Sequence, residues 1–219
     1  MNLYGIMGRI FACSICCLWL SLVGAQSIEN EQIQGATIDP GIRSEVEKHI
    51  RVSEVTDFND VILFYDNLMI ADLFQEDTLA FSIAENDTVY AMFHSYYYIG
   101  DDTIFISGTF GFDSGFGFII FITGGTATVF HLVSMDQIPG LAYNPSEDLR
   151  ISVEVPCYDT KLILSAVPDS IIDSPIYGYV EFKSEFYFAA SDFVNGKEVL
   201  PRSKQRVNMK VYFVSSKYH

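Results

Sequence analysis

The chain is poor in cysteine and histidine and, through its middle, has no basic residues. Cysteine occurs four times in 219 residues, and Cys13, Cys16 and Cys17 all lie in the first 25. If that leader is removed, Cys157 stands alone. An intramolecular disulfide is then excluded, no disulfide-linked partner is expected, and stability must come from a packed core. The four histidines, His49, His94, His131 and His219, are too scattered for a metal cluster. No lysine or arginine occurs between Arg51 and Arg150. Nucleic acids and anionic membrane surfaces are held by clustered cations, so neither is an expected partner. The chain has no Gly-x-Ser-x-Gly, no phosphate loop and no dinucleotide fingerprint. The acids around Glu54, Asp60, Asp66 and Asp72 lack the spacing of a calcium loop. No catalytic residue, metal ligand or cofactor is assigned.

What the first residues do contain is an export signal. Met1 to Arg9 carries one positive charge, Ile10 to Val23 is apolar, and Val23-Gly24-Ala25 supplies small residues for cleavage. The apolar run is short of the roughly 20 residues of a transmembrane helix. Residues 1–25 are therefore expected to be a cleaved signal peptide, and the mature chain to be periplasmic or extracellular and associated with the cell envelope. Residues 26–40 are polar and expected to be flexible, leaving 41–219 as a single domain. The net charge is −15, from 13 basic and 28 acidic residues. Such acidity favours solubility and makes a basic protein surface a conceivable partner.

The pattern from Val61 onward has period two, the mark of strands with one buried face. Val61–Tyr65 and Leu68–Phe74 read as strands around Asp66-Asn67. Thr78–Glu85 and Thr88–Tyr98 flank Asn86-Asp87, Thr103–Phe112 follows, and Phe116–Thr123 and Thr126–Ser134 flank Gly124-Gly125. Leu149–Val155 and Lys161–Val167 read as a hairpin across Cys157-Tyr158-Asp159. Ile176–Ala190 and Arg206–Ser216 read as long strands connected through Asn195-Gly196. The expected fold is mainly β: a single antiparallel β-barrel or β-sandwich of about ten strands in a hairpin meander. Asp39-Pro40-Gly41 can start one short N-terminal helix, and Lys48–Thr56 also reads as a strand.

Turn positions predict the register. A loop at Asp113-Ser114-Gly115 sets Phe112 opposite Phe116 and Phe110 opposite Phe118. A loop at Gly124-Gly125 sets Ile122, Ile120 and Phe118 opposite Ala127, Val129 and His131. One face then carries Ile104, Ile106, Phe110, Phe112, Phe116, Phe118, Ile120, Ile122 and Val129, with His131 as a hydrogen-bonded core histidine. The other face carries Phe105, Ile119, Phe121 and Phe130, too apolar for plain solvent.

Aromatic residues are abundant, with 18 Phe and 13 Tyr. Alternation turns Tyr96, Tyr98, Tyr177, Tyr179 and Tyr187 outward, and with His94 they form the candidate ligand-binding set. The expected role is non-enzymatic: binding a small apolar molecule or a glycan, or contacting an envelope partner. The alternatives are a transmembrane β-barrel of the outer membrane and a hydrolase with its site in an open barrel mouth.

Overall fold

The computed structural model describes residues 33–57, 60–83, 90–111, 115–136, 138–169, 174–194 and 197–218. The leader, the Asn86-Asp87 and Asn195-Gly196 turns, Phe112 and His219 lie outside them. The Asp39 carboxylate accepts the Gly41 backbone N–H at 2.8 Å, and the Asp39 carbonyl accepts that of Ile42 at 3.1 Å. That turn opens helix α1, Ile42–His49. Ile42 and Val46, four apart and so on one face, are buried, while Arg43 and Glu47 pair on the exposed side. Ile50 takes extended backbone and ends the helix. The two readings of this stretch thus apply to consecutive segments: helix to His49, strand from Ile50.

Fifteen strands occur among the described residues, against about ten expected. They are β1 (Thr37–Ile38), β2 (Ile50–Asp57), β3 (Asp60–Gln75), β4 (Thr78–Ile83) and β5 (Tyr90–Ile99). Then come β6 (Thr103–Phe110), β7 (Gly115–Thr123), β8 (Thr126–Ser134), β9 (Leu141–Ala142) and β10 (Ser152–Leu164). The last are β11 (Ile176–Ser184), β12 (Tyr187–Ala189), β13 (Phe193–Val194), β14 (Lys197–Glu198) and β15 (Ser203–Lys217). Thirteen share one sheet, and β13 and β14 form a separate hairpin. The main path runs β2-β3-β5-β6-β7-β8-β10-β11-β15-β12-β9. β15 also pairs with β3 over Gln205–Val211 and with β5 at Ser216 and Lys217.

The sheet is mixed rather than wholly antiparallel, because β15 with β5 and β1 with β10 run parallel. Tight loops dictate antiparallel pairing only between chain neighbours, and these pairs are distant in sequence.

The Gly124-Gly125 hairpin has the expected register, with Phe118 opposite His131 and both glycines at positive φ. β6 and β7 differ from expectation by two residues: Phe110 faces Phe116 and Gly108 faces Phe118. A slip of two keeps every side chain on its face, so the expected core face survives. Ile106, Phe110, Phe118, Ile120, Ile122 and Val129 are buried on it. They meet Val180 and Phe182 of β11 and Val207, Met209, Val211 and Phe213 of β15 in one cluster. Glycine permits a close approach here: a Cβ on Gly108 would lie 2.5 Å from the Phe93 ring and 2.6 Å from that of Phe118.

Other expectations are corrected. Residues 60–75 form one strand rather than two, because Asp66 and Asn67 pair on one side with Arg51 and Ile50 and on the other with Met92 and Ala91. β4 pairs with β3 and not with β5. Residues 152–164 are not a hairpin. Asp159, at φ 50°, sits in an irregularity of a continuous strand that pairs first with β8 and then with β11. The expected strand 176–190 is broken after Ser184.

The segment just before the helix is packed down. Gln34 exchanges backbone hydrogen bonds with Gly125 and Ala127, each at 2.8 Å. Ile33 is buried in the core cluster, and Ala36 and Ile38 pack against it. Residues 33–38 therefore lie across the end of the sheet marked by the Gly124-Gly125 turn.

Candidate functional site

The site is built around a break in a strand. Lys183 pairs with Asn208 of β15, but Tyr187 pairs with Gln205, so four steps on one strand match three on the other. One extra residue is a β-bulge, and it reverses which face the following side chains take. Ser184 holds the bulge: its hydroxyl accepts the Val207 backbone N–H at 2.9 Å and donates to the Glu185 carbonyl at 2.8 Å. Tyr187, expected outward, is consequently buried at 4 % exposure, while its neighbours Phe186 and Phe188 are only half-buried.

Tyr187 lines a cavity of about 530 Å³, within the range of small-molecule sites. Ala71 and Leu73 of β3, Phe116 of β7, Val133 of β8 and Val207 of β15 form apolar walls. Phe81, Met135 and Asp136 also border it, and Phe81 is 54 % exposed. The cavity lies at the end of the sheet where β7 begins and β8 stops, opposite the end covered by residues 33–38. The bordering residues include neither lysine nor arginine.

His131 supplies the second polar group. It is 1 % exposed, and its Nδ1 lies 2.9 Å from the Gly117 carbonyl. A carbonyl only accepts, so Nδ1 carries the proton and Nε2 is left as an acceptor. Burial, only partly offset by that hydrogen bond, lowers the pKa of His131 to about 4. Burial likewise pushes Tyr187 up to about 12. Both side chains are neutral near pH 7, and their rings stand 5.8 Å apart.

Neither His131 Nε2 nor Tyr187 Oη has a hydrogen-bond partner among the described residues. Among those residues, Arg206 Nε is the single side-chain polar atom fully enclosed without a partner. Both His131 and Tyr187 border the cavity. Cys157 behaves differently. Burial raises its pKa to about 12, so the thiol stays protonated and is a poor nucleophile.

The six residues of the sequence-predicted set fall in three places. Tyr187 is in the cavity. Tyr177 and the buried Tyr179 lie with Tyr212 against Ile42 and Val46 of α1. Tyr179 donates to Glu181 at 2.8 Å, and the Arg43 guanidinium stands 4.7 Å from the Tyr177 ring centroid. His94, Tyr96 and Tyr98 are on the outer wall of β5. There Tyr98, Phe105, Phe121 and Phe130 make a file of rings with successive centroids 5.3, 5.4 and 5.8 Å apart. Sequence reasoning placed His131 correctly on the core face but left it out of the binding set. The available signal was a polar side chain opposite a phenylalanine in an apolar strand.

Compared with family models, with curated proteins and with solved structures, the chain matches none.

Proposed function

We propose that this is an exported, non-enzymatic binding protein whose sheet closes into a barrel and holds a small apolar molecule at one end. The observation that carries the reading is the 530 Å³ cavity, walled by apolar side chains and bordered by the neutral polar side chains of His131, Ser134 and Tyr187. The pairing of β15 with both β11 and β3 supports closure, and a barrel of about eight strands has room for one small ligand. The leader ending in Ala25 supports export to the periplasm or the cell exterior.

The competing readings are weaker on physical grounds. For a hydrolase, His131 is a poor base, since its Nδ1 is held by a carbonyl rather than a carboxylate and burial makes it weakly basic. In a transmembrane barrel the outward residues of β11 and β15 would meet lipid. Lys183 and Lys210 stand there, paired with Asp159 and Glu181. A lysine facing the bilayer midplane costs about 2–4 kcal/mol. The ring file from Tyr98 to Phe130 keeps a glycan open as an alternative ligand, since aromatic faces stack on sugars.

The test is organic extraction of the purified mature chain followed by mass spectrometry. A co-purifying apolar compound is expected, and Ala71→Phe, which fills the cavity, should reduce its recovery at least about tenfold. Equal recovery from both proteins would move the ligand away from this cavity.

A further inference from the structure

We propose that the cavity selects a neutral ligand bearing a hydroxyl group and rejects the corresponding carboxylate; this deepens the reading just given and rests on it. The argument is one of complementarity. His131 donates Nδ1–H to the Gly117 carbonyl at 2.9 Å, so its Nε2 can only accept. Tyr187 Oη can donate and accept. The two rings are 5.8 Å apart and border the same apolar volume. A ligand hydroxyl satisfies both, donating to His131 and accepting from Tyr187. An ester or ether oxygen can answer Tyr187 but not His131, because it has no proton to give.

A carboxylate is excluded more strongly. Burying an ion needs a compensating charge, and the residues bordering the cavity include neither lysine nor arginine. The one acidic residue on the border is Asp136, whose carboxylate repels an anion. His131 does not become the missing cation at neutral pH, because burial holds it uncharged. The apolar walls of Ala71, Phe116, Val133 and Val207 then favour an aliphatic or aromatic body behind the hydroxyl.

Octan-1-ol, methyl octanoate and sodium octanoate at about pH 8 share a chain and differ in the head, so calorimetric titration of each into the protein separates the terms. The alcohol should bind roughly tenfold more tightly than the ester, the equivalent of one net hydrogen bond, and the carboxylate should bind weakest. Tyr187→Phe and His131→Phe should each shrink the alcohol's advantage over the ester while the ester still binds. Tyr187→Phe keeps the shape of the wall and decides the matter if His131→Phe does not fold. Equal binding of the three heads, or tightest binding of the carboxylate, would overturn the selectivity and leave the cavity as an apolar site. No binding of any of them would overturn both.

Discussion

The two ends of the sheet interior are built from similar residues and filled differently. At the Gly124-Gly125 end, residues 33–38 lie across the opening and Ile33 is buried in the core. Further in, Phe93, Phe118 and Phe213 nest together, with Phe118 and Phe213 centroids 4.9 Å apart. At the other end, Ala71 and Gly115 are small, the bulge after Ser184 brings in one tyrosine, and 530 Å³ stays open. Aromatic load alone therefore does not decide whether an interior is solid. What decides it is whether glycine stands where a ring needs room, as Gly108 does beneath Phe93 and Phe118.

The largest expected effect breaks that comparison directly. Phe213 is fully buried, so Phe213→Ala should cost about 3–5 kcal/mol. Phe116 is half-buried on the open volume, so its truncation enlarges an existing space and should cost clearly less. Urea denaturation of both variants reads the difference. Equal losses would mean that the two ends are packed alike.

Acid should act on the hollow end next. The unfolded chain protonates a histidine near pH 6.5, whereas folded His131 does so only near 4. Between those values the unfolded state binds more protons, so stability is complete above about pH 6.5 and falls as pH drops towards 4. Below that it levels off. The loss attributable to this residue is on the order of 3 kcal/mol. Unfolding midpoints measured across this range should fall more steeply in the parent protein than in His131→Phe, which keeps only the contribution of carboxylates such as Glu181; parallel curves would remove His131 as the cause.

A smaller loss, about 1–3 kcal/mol, is expected from Gly108→Ala, because the added carbon would meet two phenylalanine rings. If thermal unfolding does not shift, the rings have more freedom than their burial implies.

These contrasts also show what could be read from the chain. The core face of β6 to β8 was legible because a period of two survives a two-residue slip in register. The same period runs through β15, where Val207, Met209, Val211 and Phe213 are all buried. Tyr187 was not legible, since one extra residue at Glu185-Phe186 reverses the alternation, and nothing in the local pattern announces it. Nor was the covering of one end, because residues 33–38 show no regular alternation and are held by backbone hydrogen bonds to the distant Gly125 and Ala127, with Ile33, Ala36 and Ile38 on the core. Parallel pairing of β15 with β5 joins segments far apart in the chain, where turn chemistry carries no information.

The smallest expected effect is the one that sharpens the assignment of the site. Tyr98 is 47 % exposed on the outer wall, touching Phe105 at 5.3 Å between centroids. Exposed substitutions of this kind usually change stability by no more than about 0.5 kcal/mol. If the ligand sits inside, Tyr98→Ala should leave both folding and alcohol binding unchanged, because a sheet's two faces are separated by its backbone. A loss of binding comparable to that of Tyr187→Phe would place the ligand on the outer file of rings. The hollow end would then be a packing gap, and the distinction between the two ends would be one of stability alone.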